Sequence, residues 1–154
     1  MQTHYAPANA ALVRLGEAWP QTIQFSELLA VAGGDAAPLA EILFHGYRIG
    51  LLELHSAPPQ FSATPGDYPL ASPLARWQAQ RGVLVTNLRH TTVELEDIVD
   101  RYLLLSLDGR RDRAALIGGL REFLHSRSEA PDSLTPEALE ARLERLAKQA
   151  LLLR

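Results

Sequence analysis

The stretch LLLSLDGRRDRAALIGGL at residues 103–120 decides the fold of this chain. An apolar pattern arrives from Leu95 and stops at Asp108-Gly109. Glycine commonly follows a helix end, because a left-handed backbone costs it no Cβ clash. Asp112 is placed to cap a second helix, whose apolar residues recur at helical spacing. The stretch therefore predicts two helices joined by a tight turn, as in a helix-turn-helix or winged-helix domain.

The composition is that of a globular chain with a nearly balanced charge. Hydrophobic residues make up 47%, charged residues 21%, and the net charge is −3. The chain has no cysteine, which excludes disulfides, thiolate nucleophiles and cysteine-based zinc sites. No apolar run approaches the ~20 residues of a membrane span, and the first ten residues do not resemble a signal peptide. We therefore expect a cytoplasmic protein with no membrane partner.

Residues 1–57 predict a first winged-helix lobe. Helices are expected at residues 10–19, 27–32 and 38–49, and short strands at residues 22–25 and 51–55. Asn9 and Ser26 are the predicted caps, and Trp19 and Tyr47 are assigned to buried helix faces. In this order the third helix takes the place of a recognition helix.

That third helix is poorly equipped to read nucleic acid. A DNA-reading helix carries Arg, Lys, Asn or Gln toward base edges and phosphates. Residues 37–49 offer Arg48 alone, and they also carry Glu41. Nucleic acid is therefore a disfavoured partner, and a DNA-binding transcriptional regulator is kept only as the alternative function.

The proline-rich residues 58–73 are interpreted as a linker or an extended wing between two lobes. Residues 74–154 then form the second helix-turn-helix or winged-helix lobe. Its helices are expected at 74–80, from Thr91 or Thr92 to the central turn, from Asp112, and from Thr135, with a strand at 83–85 and a strand-like tail at 150–153. The spacing of Thr91 and Glu94 predicts a capping box at the second of these helices.

Candidate chemistry is sparse along the chain. His45 and His55 lack a third ligand for a metal, and His90 is assigned to a helix start. The glycine pairs at residues 33–34 and 118–119 match no phosphate-binding loop. The second glycine pair lies in a predicted helix and indicates close packing against another helix. We assign no catalytic, cofactor-binding or metal residue.

Two clusters of charged residues are interpreted first as structural features and only second as binding sites. The acidic cluster comprises Glu94, Glu96, Asp97 and Asp100. It is interpreted mainly as a solvated helix face. The alternative is that Asp100 and Arg101 bind a partner. The basic cluster is expected to form local ion pairs with Asp108 and Asp112; it comprises Arg110, Arg111 and Arg113.

Three segments in order resemble one family: PLASPLAR at residues 69–76, VTNLRH at 85–90 and LSLDGRRDR at 105–113. They are similar to the C-terminal winged-helix region of bacterial protein-lysine methyltransferases that carry a methyltransferase regulatory domain. The likeness extends upstream through residues 25–29. In that family the catalytic part is an N-terminal Rossmann-like domain that binds S-adenosylmethionine, and its glycine-rich loop has no counterpart here.

The resemblance implies an α+β, mostly helical protein of two small lobes with short strands, and a non-catalytic regulatory or protein-interaction role. Its expected partner is a methyltransferase domain in cis or in trans, with a protein substrate as a second partner. No cofactor is expected in this chain, since S-adenosylmethionine would bind in the parent's catalytic domain. Residues 58–73 and the Arg89-His90 neighbourhood are the candidate contacts.

Overall fold

The computed structural model describes residues 5–58, 60–128 and 134–154 of the chain. Its contacts divide the chain into two compact units, Met1–Pro59 and Gln60–Arg154. No single helix in these described ranges is long and apolar enough to cross a membrane; Phe25–Ala32 and Ala36–Arg48, bent by 116°, reach that length and composition only as a pair.

The described residues of the first unit, 5–58, form three helices. They are α1 (Ala6–Ala18), α2 (Phe25–Ala32) and α3 (Ala36–Arg48). Their small core consists of Ala8, Ala11, Leu28, Leu39 and Leu43. Arg14 on α1 and Glu27 on α2 add an ion pair at 3.7 Å between the two helices.

Several predictions for this unit are wrong. Residues 22–25 and 51–55 form no strand, and α1 begins at Ala6 rather than after Asn9. Helix α2 begins at Phe25, before the predicted cap Ser26. Trp19 and Tyr47 are 60% and 48% exposed, because alanine and leucine side chains at other positions of the three helices form the buried core. The periodicity found the helices but misjudged which apolar residues they bury.

The second unit contains four helices and a hairpin among its described residues. They are α4 (Pro73–Ala79), β1 (Leu84–Thr86), β2 (Thr92–Glu94), α5 (Ile98–Ser106), α6 (Arg113–Ser126) and α7 (Pro136–Lys148). The two strands are antiparallel, with Val85 opposite Val93. Isolated bridges join Leu70 to Asp108 and Ala71 to Leu152, so the expected strand-like tail does pair.

The central stretch folds as predicted. Asp112 Oδ1 accepts a hydrogen bond from the amide of Ala115 at 2.8 Å and so caps α6. Gly109 has a φ of +78° in the turn before it. Thr135 caps α7 in the same way, accepting from Ala138 at 3.2 Å. The core of the unit is rich in leucine and includes Leu103, Leu104, Leu107, Leu116, Leu120, Leu139, Leu143 and Leu146. The α+β winged-helix class is therefore confirmed.

The start of the central helix is different from the prediction. Residues 92–94 form β2, and α5 begins at Ile98 with Asp97 accepting from the amide of Val99 at 2.8 Å. The sequence Thr-Val-Glu alternates exposed and partly buried side chains, which suits a strand over a solvated face. The capping box at Thr91 is therefore wrong.

The proline-rich segment contributes to the second unit from Gln60 onward. Phe61 is fully buried, and the amide of Ser62 donates to the carbonyl of Leu152 at 2.9 Å. The amide of Ala71 donates to Leu107 and that of Ser72 to Leu151, both at 2.9 Å. Backbone hydrogen bonds thus fix this segment beside the core.

Candidate functional site

The hairpin turn at residues 87–91 holds the candidate contacts Arg89 and His90. The amide of Leu88 donates to the carbonyl of Ala150 at 2.9 Å, which attaches the turn to the end of α7. His90 is exposed and has a φ of +60°. It therefore occupies a left-handed turn position between two strands, and its assignment to a helix start is wrong.

The acidic cluster divides into two pairs with different environments. Asp97 and Asp100 bind Arg142 at 2.6 and 2.5 Å, and Asp100 also binds Arg145. Asp100 is 5% exposed, so its predicted place on a solvated face and its availability to a partner are both wrong. These ion pairs join α5 to α7.

The pKa values of this cluster follow from its geometry. Burial opposes ionisation of Asp97, but hydrogen bonds from Arg142 and from the amide of Val99 outweigh it and hold its pKa below the usual value. Burial likewise disfavours the charged form of Arg142, and its hydrogen bonds to Asp97 and Asp100 raise its pKa. Both groups are therefore held in their charged forms.

Glu94 and Glu96 form the other half of the acidic cluster. Both side chains are exposed, on β2 and just beyond it. Within residues 5–58, 60–128 and 134–154, neither carboxylate has an ion-pair partner. The solvated face predicted from the sequence thus applies to these two residues.

Two arginines of the basic cluster after the central turn form ion pairs within the second unit. Arg111 lies 3.7 Å from Asp108, as expected for a local pair. Arg113 instead binds Glu140 at 3.1 Å and donates to the carbonyls of Gly66 and Asp67. Arg113 thereby anchors the proline-rich segment. Gly66 and Asp67, which belong to the candidate contact at residues 58–73, are thus bound within the second unit.

Helix α7 occupies the position of a recognition helix in the second unit. The order α5, bridge, α6, α7, bridge is the helix-strand-helix-helix-strand order of a winged helix. Its three basic side chains, Arg142, Arg145 and Lys148, are each ion-paired with an acid. The surface that would contact a phosphate backbone therefore carries little uncompensated positive charge.

An exposed apolar surface on α4 and β1 was missed by the sequence reasoning. Leu74, Trp77 and Leu84 are 51%, 53% and 56% exposed. The guanidinium of Arg81 lies 3.9 Å above the Trp77 ring. The sequence signal was present, because Leu74, Trp77 and Arg81 recur at helical spacing beside the buried Ala75 and Ala79.

The histidines remain dispersed in the structure. His45 is exposed on α3, and His55 Nε2 lies 3.2 Å from Glu53 Oε2. His4 lies outside the described residues. In the part of the chain that the structure describes, no three His, Asp or Glu side chains are grouped to hold a metal ion.

The element order and the hairpin define a winged-helix domain, and the basic side chains of its α7 form ion pairs within the unit. The family model described as PKMT, C-terminal winged helix domain, matches residues 67–151, which is more than half of the chain. The chain therefore belongs to this family, and the resemblance carried by the three sequence segments is confirmed. The match covers a winged-helix domain and no catalytic domain.

Solved structures are similar to this chain over nearly its whole length. PKMT2 from Rickettsia typhi matches with a TM-score of 0.73 and 20% identity over 95% of this chain. The structure of PKMT2 from the same organism in complex with AdoHcy matches with a TM-score of 0.74 and 19% identity over 99% of this chain. At this identity the likeness shows the fold. The chain spans about a third of the length of those proteins, 34% and 35%. No curated protein matches it.

Proposed function

We propose that this chain is a non-catalytic, protein-binding domain of a bacterial protein-lysine methyltransferase that regulates the catalytic domain. The observation that carries the proposal is the exposed apolar surface of α3 in a unit with a very small core. Phe44 and Tyr47 are 56% and 48% exposed, and their ring centroids are 6.1 Å apart. Contiguous exposed apolar surface of this kind marks sites of protein interaction.

Two apolar residues that follow α3 in the chain are exposed as well. Ile49 and Leu51 are 57% and 50% exposed. Aromatic side chains dominate the energetics of protein interfaces, because each buries a large area at a small entropic cost. We define the α3 surface as Phe44, Tyr47, Ile49 and Leu51.

The proposed occupant of the α3 surface is the methyltransferase domain, in cis or in trans. The PKMT2 structures that share this fold are about three times longer than the chain, and one is described in complex with AdoHcy. AdoHcy is the product that S-adenosylmethionine leaves after giving up its methyl group. We therefore propose that the cofactor binds in the catalytic domain and that this chain, in the bacterial cytoplasm, binds none.

Charge supports a protein partner over nucleic acid. Within α3 the only arginine or lysine is Arg48, at its last position, and the helix also carries Glu41. On α7, Glu137 and Glu144 are exposed while the basic side chains are ion-paired. A DNA-binding surface needs uncompensated arginine or lysine on one face, so we rank the transcriptional-regulator alternative second.

The test is a binding measurement between the full chain and the cognate methyltransferase domain. We expect saturable binding, a changed rate of protein methylation, and a loss of affinity of about tenfold or more in the double variant Phe44→Asp/Tyr47→Asp. The matched control, Leu74→Asp/Trp77→Asp, introduces the same charges on the second unit and should bind normally.

Two outcomes would overturn the proposal. One is the absence of both binding and any change in methylation rate. The other is salt-dependent DNA binding, with log affinity falling linearly against log salt, which would favour the transcriptional regulator. Calorimetric titration of the full chain with S-adenosylmethionine completes the test, and heat of binding would contradict a cofactor-free domain.

A further inference from the structure

Within the described residues, strand β2 of the hairpin in the second unit has an outer edge with no hydrogen-bond partner. The paired residues Val85 and Val93 lie between two further ladder bonds, Asn87 N to Thr91 O at 3.0 Å and Leu95 N to Val83 O at 2.7 Å. In an antiparallel ladder the intervening residues direct their N–H and C=O groups outward. On β2 these residues are Thr92 and Glu94.

The outer edge of β1 is partly covered in the same region. The side chain of Gln78 accepts from the amide of Thr86 at 2.7 Å and donates to its hydroxyl at 3.0 Å. This contact occupies the amide of Thr86, one of the two outward-facing residues of β1, and packs α4 along that strand. On β2, by contrast, neither Thr92 nor Glu94 has an amide partner among the described residues. In the part of the chain that the structure describes, α4 therefore packs against the β1 edge, and the β2 edge is open.

The side chains beside the open edge are acidic on one face. Thr92, Glu94 and Glu96 are exposed, whereas Val93 is half-buried and Leu95 is buried. Across the hairpin, the exposed Leu84 lies opposite Glu94. This face of the strand and its continuation thus offers, next to an apolar side chain, two carboxylates that have no ion-pair partner among the described residues.

We infer that β2 accepts an extended, lysine-bearing segment of a partner protein as a third strand. Main-chain hydrogen bonds to Thr92 and Glu94 would hold the segment, as in other cases of strand addition to a sheet edge. Glu94 and Glu96 select positive charge on the neighbouring face of the added strand, because opposite charges on adjacent strands stabilise each other. This inference rests on the proposed function in identifying the segment as part of a methylation substrate.

The experiment measures binding of the full chain to a fluorescein-labelled heptapeptide of alternating lysine and valine by fluorescence anisotropy. The comparison peptide replaces each lysine with glutamate. We expect the lysine peptide to bind at least tenfold more tightly. The double variant Glu94→Lys/Glu96→Lys should reverse this preference, because it changes the charge and leaves the backbone edge intact.

A second pair of variants separates strand addition from simple charge attraction. Thr92→Pro removes an outward N–H, and its position leaves the ladder bonds of Asn87 and Val93 in place. We expect it to weaken lysine-peptide binding about tenfold. The control Thr92→Val keeps the N–H and should bind as the native chain does. Circular dichroism of each variant verifies that the fold is retained.

Equal affinity for the two peptides, or unchanged binding in a folded Thr92→Pro variant, would overturn this inference. Those results leave the proposed function standing if the methyltransferase domain still binds the α3 surface. Conversely, selective peptide binding without binding of the methyltransferase domain would support the β2 edge while removing the proposed regulatory role.

Discussion

The side-chain amide of Asn87 donates a hydrogen bond to the backbone carbonyl of Gln149, with 2.9 Å between nitrogen and oxygen. The side-chain oxygen of Asn87 accepts from the amides of Arg89 and Thr91 at 3.0 and 2.9 Å. Asn87 itself is 8% exposed. A single buried side chain therefore shapes the hairpin turn and attaches it to the end of α7.

Replacing Asn87 with alanine is expected to lower the free energy of unfolding by about 2 kcal/mol, because three backbone groups in partly buried hydrogen bonds lose their partner. Urea denaturation of the full chain measures the change. Thr92→Ala is the control, since its exposed side chain on the same hairpin should cost less than about 0.5 kcal/mol. Equal stability of Asn87→Ala and the native chain would contradict this role.

Asp100 holds α5 and α7 together through Arg142 and Arg145. Its side chain is 7% exposed, while the two arginines are 27% and 50% exposed. We expect Asp100→Ala to destabilise the chain by about 2 kcal/mol, less than a fully buried ion pair because water still screens the arginines. Thermal or urea unfolding provides the measurement.

The surface pair Glu144–Lys148 is the matched control for Asp100. Its charged atoms are 3.9 Å apart, and both side chains are more than half exposed. Glu144→Ala should change the unfolding free energy by no more than about 0.5 kcal/mol. A loss as large as that of Asp100→Ala would show that burial does not set the strength of these pairs.

The carboxylates of Asp97 and Asp108 make the stability of the fold depend on pH in the acid range. Burial opposes ionisation of Asp97 and Asp108, yet hydrogen bonds and nearby arginines hold the pKa of each below its usual value of 3.8. A depressed pKa in the folded state contributes stability above the unfolded pKa, and that contribution is lost as the pH falls through the folded pKa. We therefore expect the unfolding free energy to decline as the pH falls below about 4.

The variant Asp97→Asn tests the assignment of this acid dependence. Asparagine still caps a helix but cannot form the charged pair with Arg142. The variant should be less stable than the native chain at neutral pH, and its stability should fall less steeply in acid. Parallel stability–pH profiles for the two proteins would contradict the assignment.

The fold was predictable where local rules agree with packing. Asp112 and Thr135 cap helices at the positions that their sequence contexts predicted, and Gly109 turns the chain between α5 and α6. The start of α5 was misjudged because Thr91 and Glu94 mimic a capping box, while long-range pairing with β1 makes the same residues a strand. Tertiary pairing overrode the local signal there.

The candidate surfaces were less predictable from sequence than the fold. Asp100 has the same charge as Glu94, and its ion pairs with Arg142 and Arg145, 42 and 45 residues further along the chain, distinguish the buried acid from the exposed one. The exposure of Phe44 and Tyr47 likewise depends on how little core the first unit forms. Apolar periodicity identifies a helix face but does not say whether anything covers it.

His90 tests whether the hairpin turn stores backbone strain. Its φ of +60° is costly for a residue with a Cβ and free for glycine. We expect His90→Gly to be about 1 kcal/mol more stable than His90→Ala, which loses the side chain but keeps the strained backbone. Identical stabilities in urea would show that the turn relaxes when the imidazole is removed.

The adjacent glycines of α6 offer a matched pair of substitutions. A Cβ added at Gly118 meets nothing within 4 Å, whereas one added at Gly119 lies 3.2 Å from the hydroxyl of Tyr102. Tyr102 is itself stacked on Phe123, with ring centroids 4.1 Å apart. Gly118→Ala should therefore gain about 1 kcal/mol of helix stability, the usual difference between the two residues.

Gly119→Ala should gain clearly less than Gly118→Ala, or lose stability, because Tyr102 has to shift while held against Phe123. Adding Tyr102→Phe removes the hydroxyl that the new methyl group meets, so it should restore most of the helix gain to Gly119→Ala. The four unfolding free energies of this double-mutant cycle give the coupling directly. A coupling of zero would mean that Gly119 is not required for the approach of α5 to α6. The predicted close helix packing, which already fails at Gly118 because a Cβ there meets nothing within 4 Å, would then fail at Gly119 too.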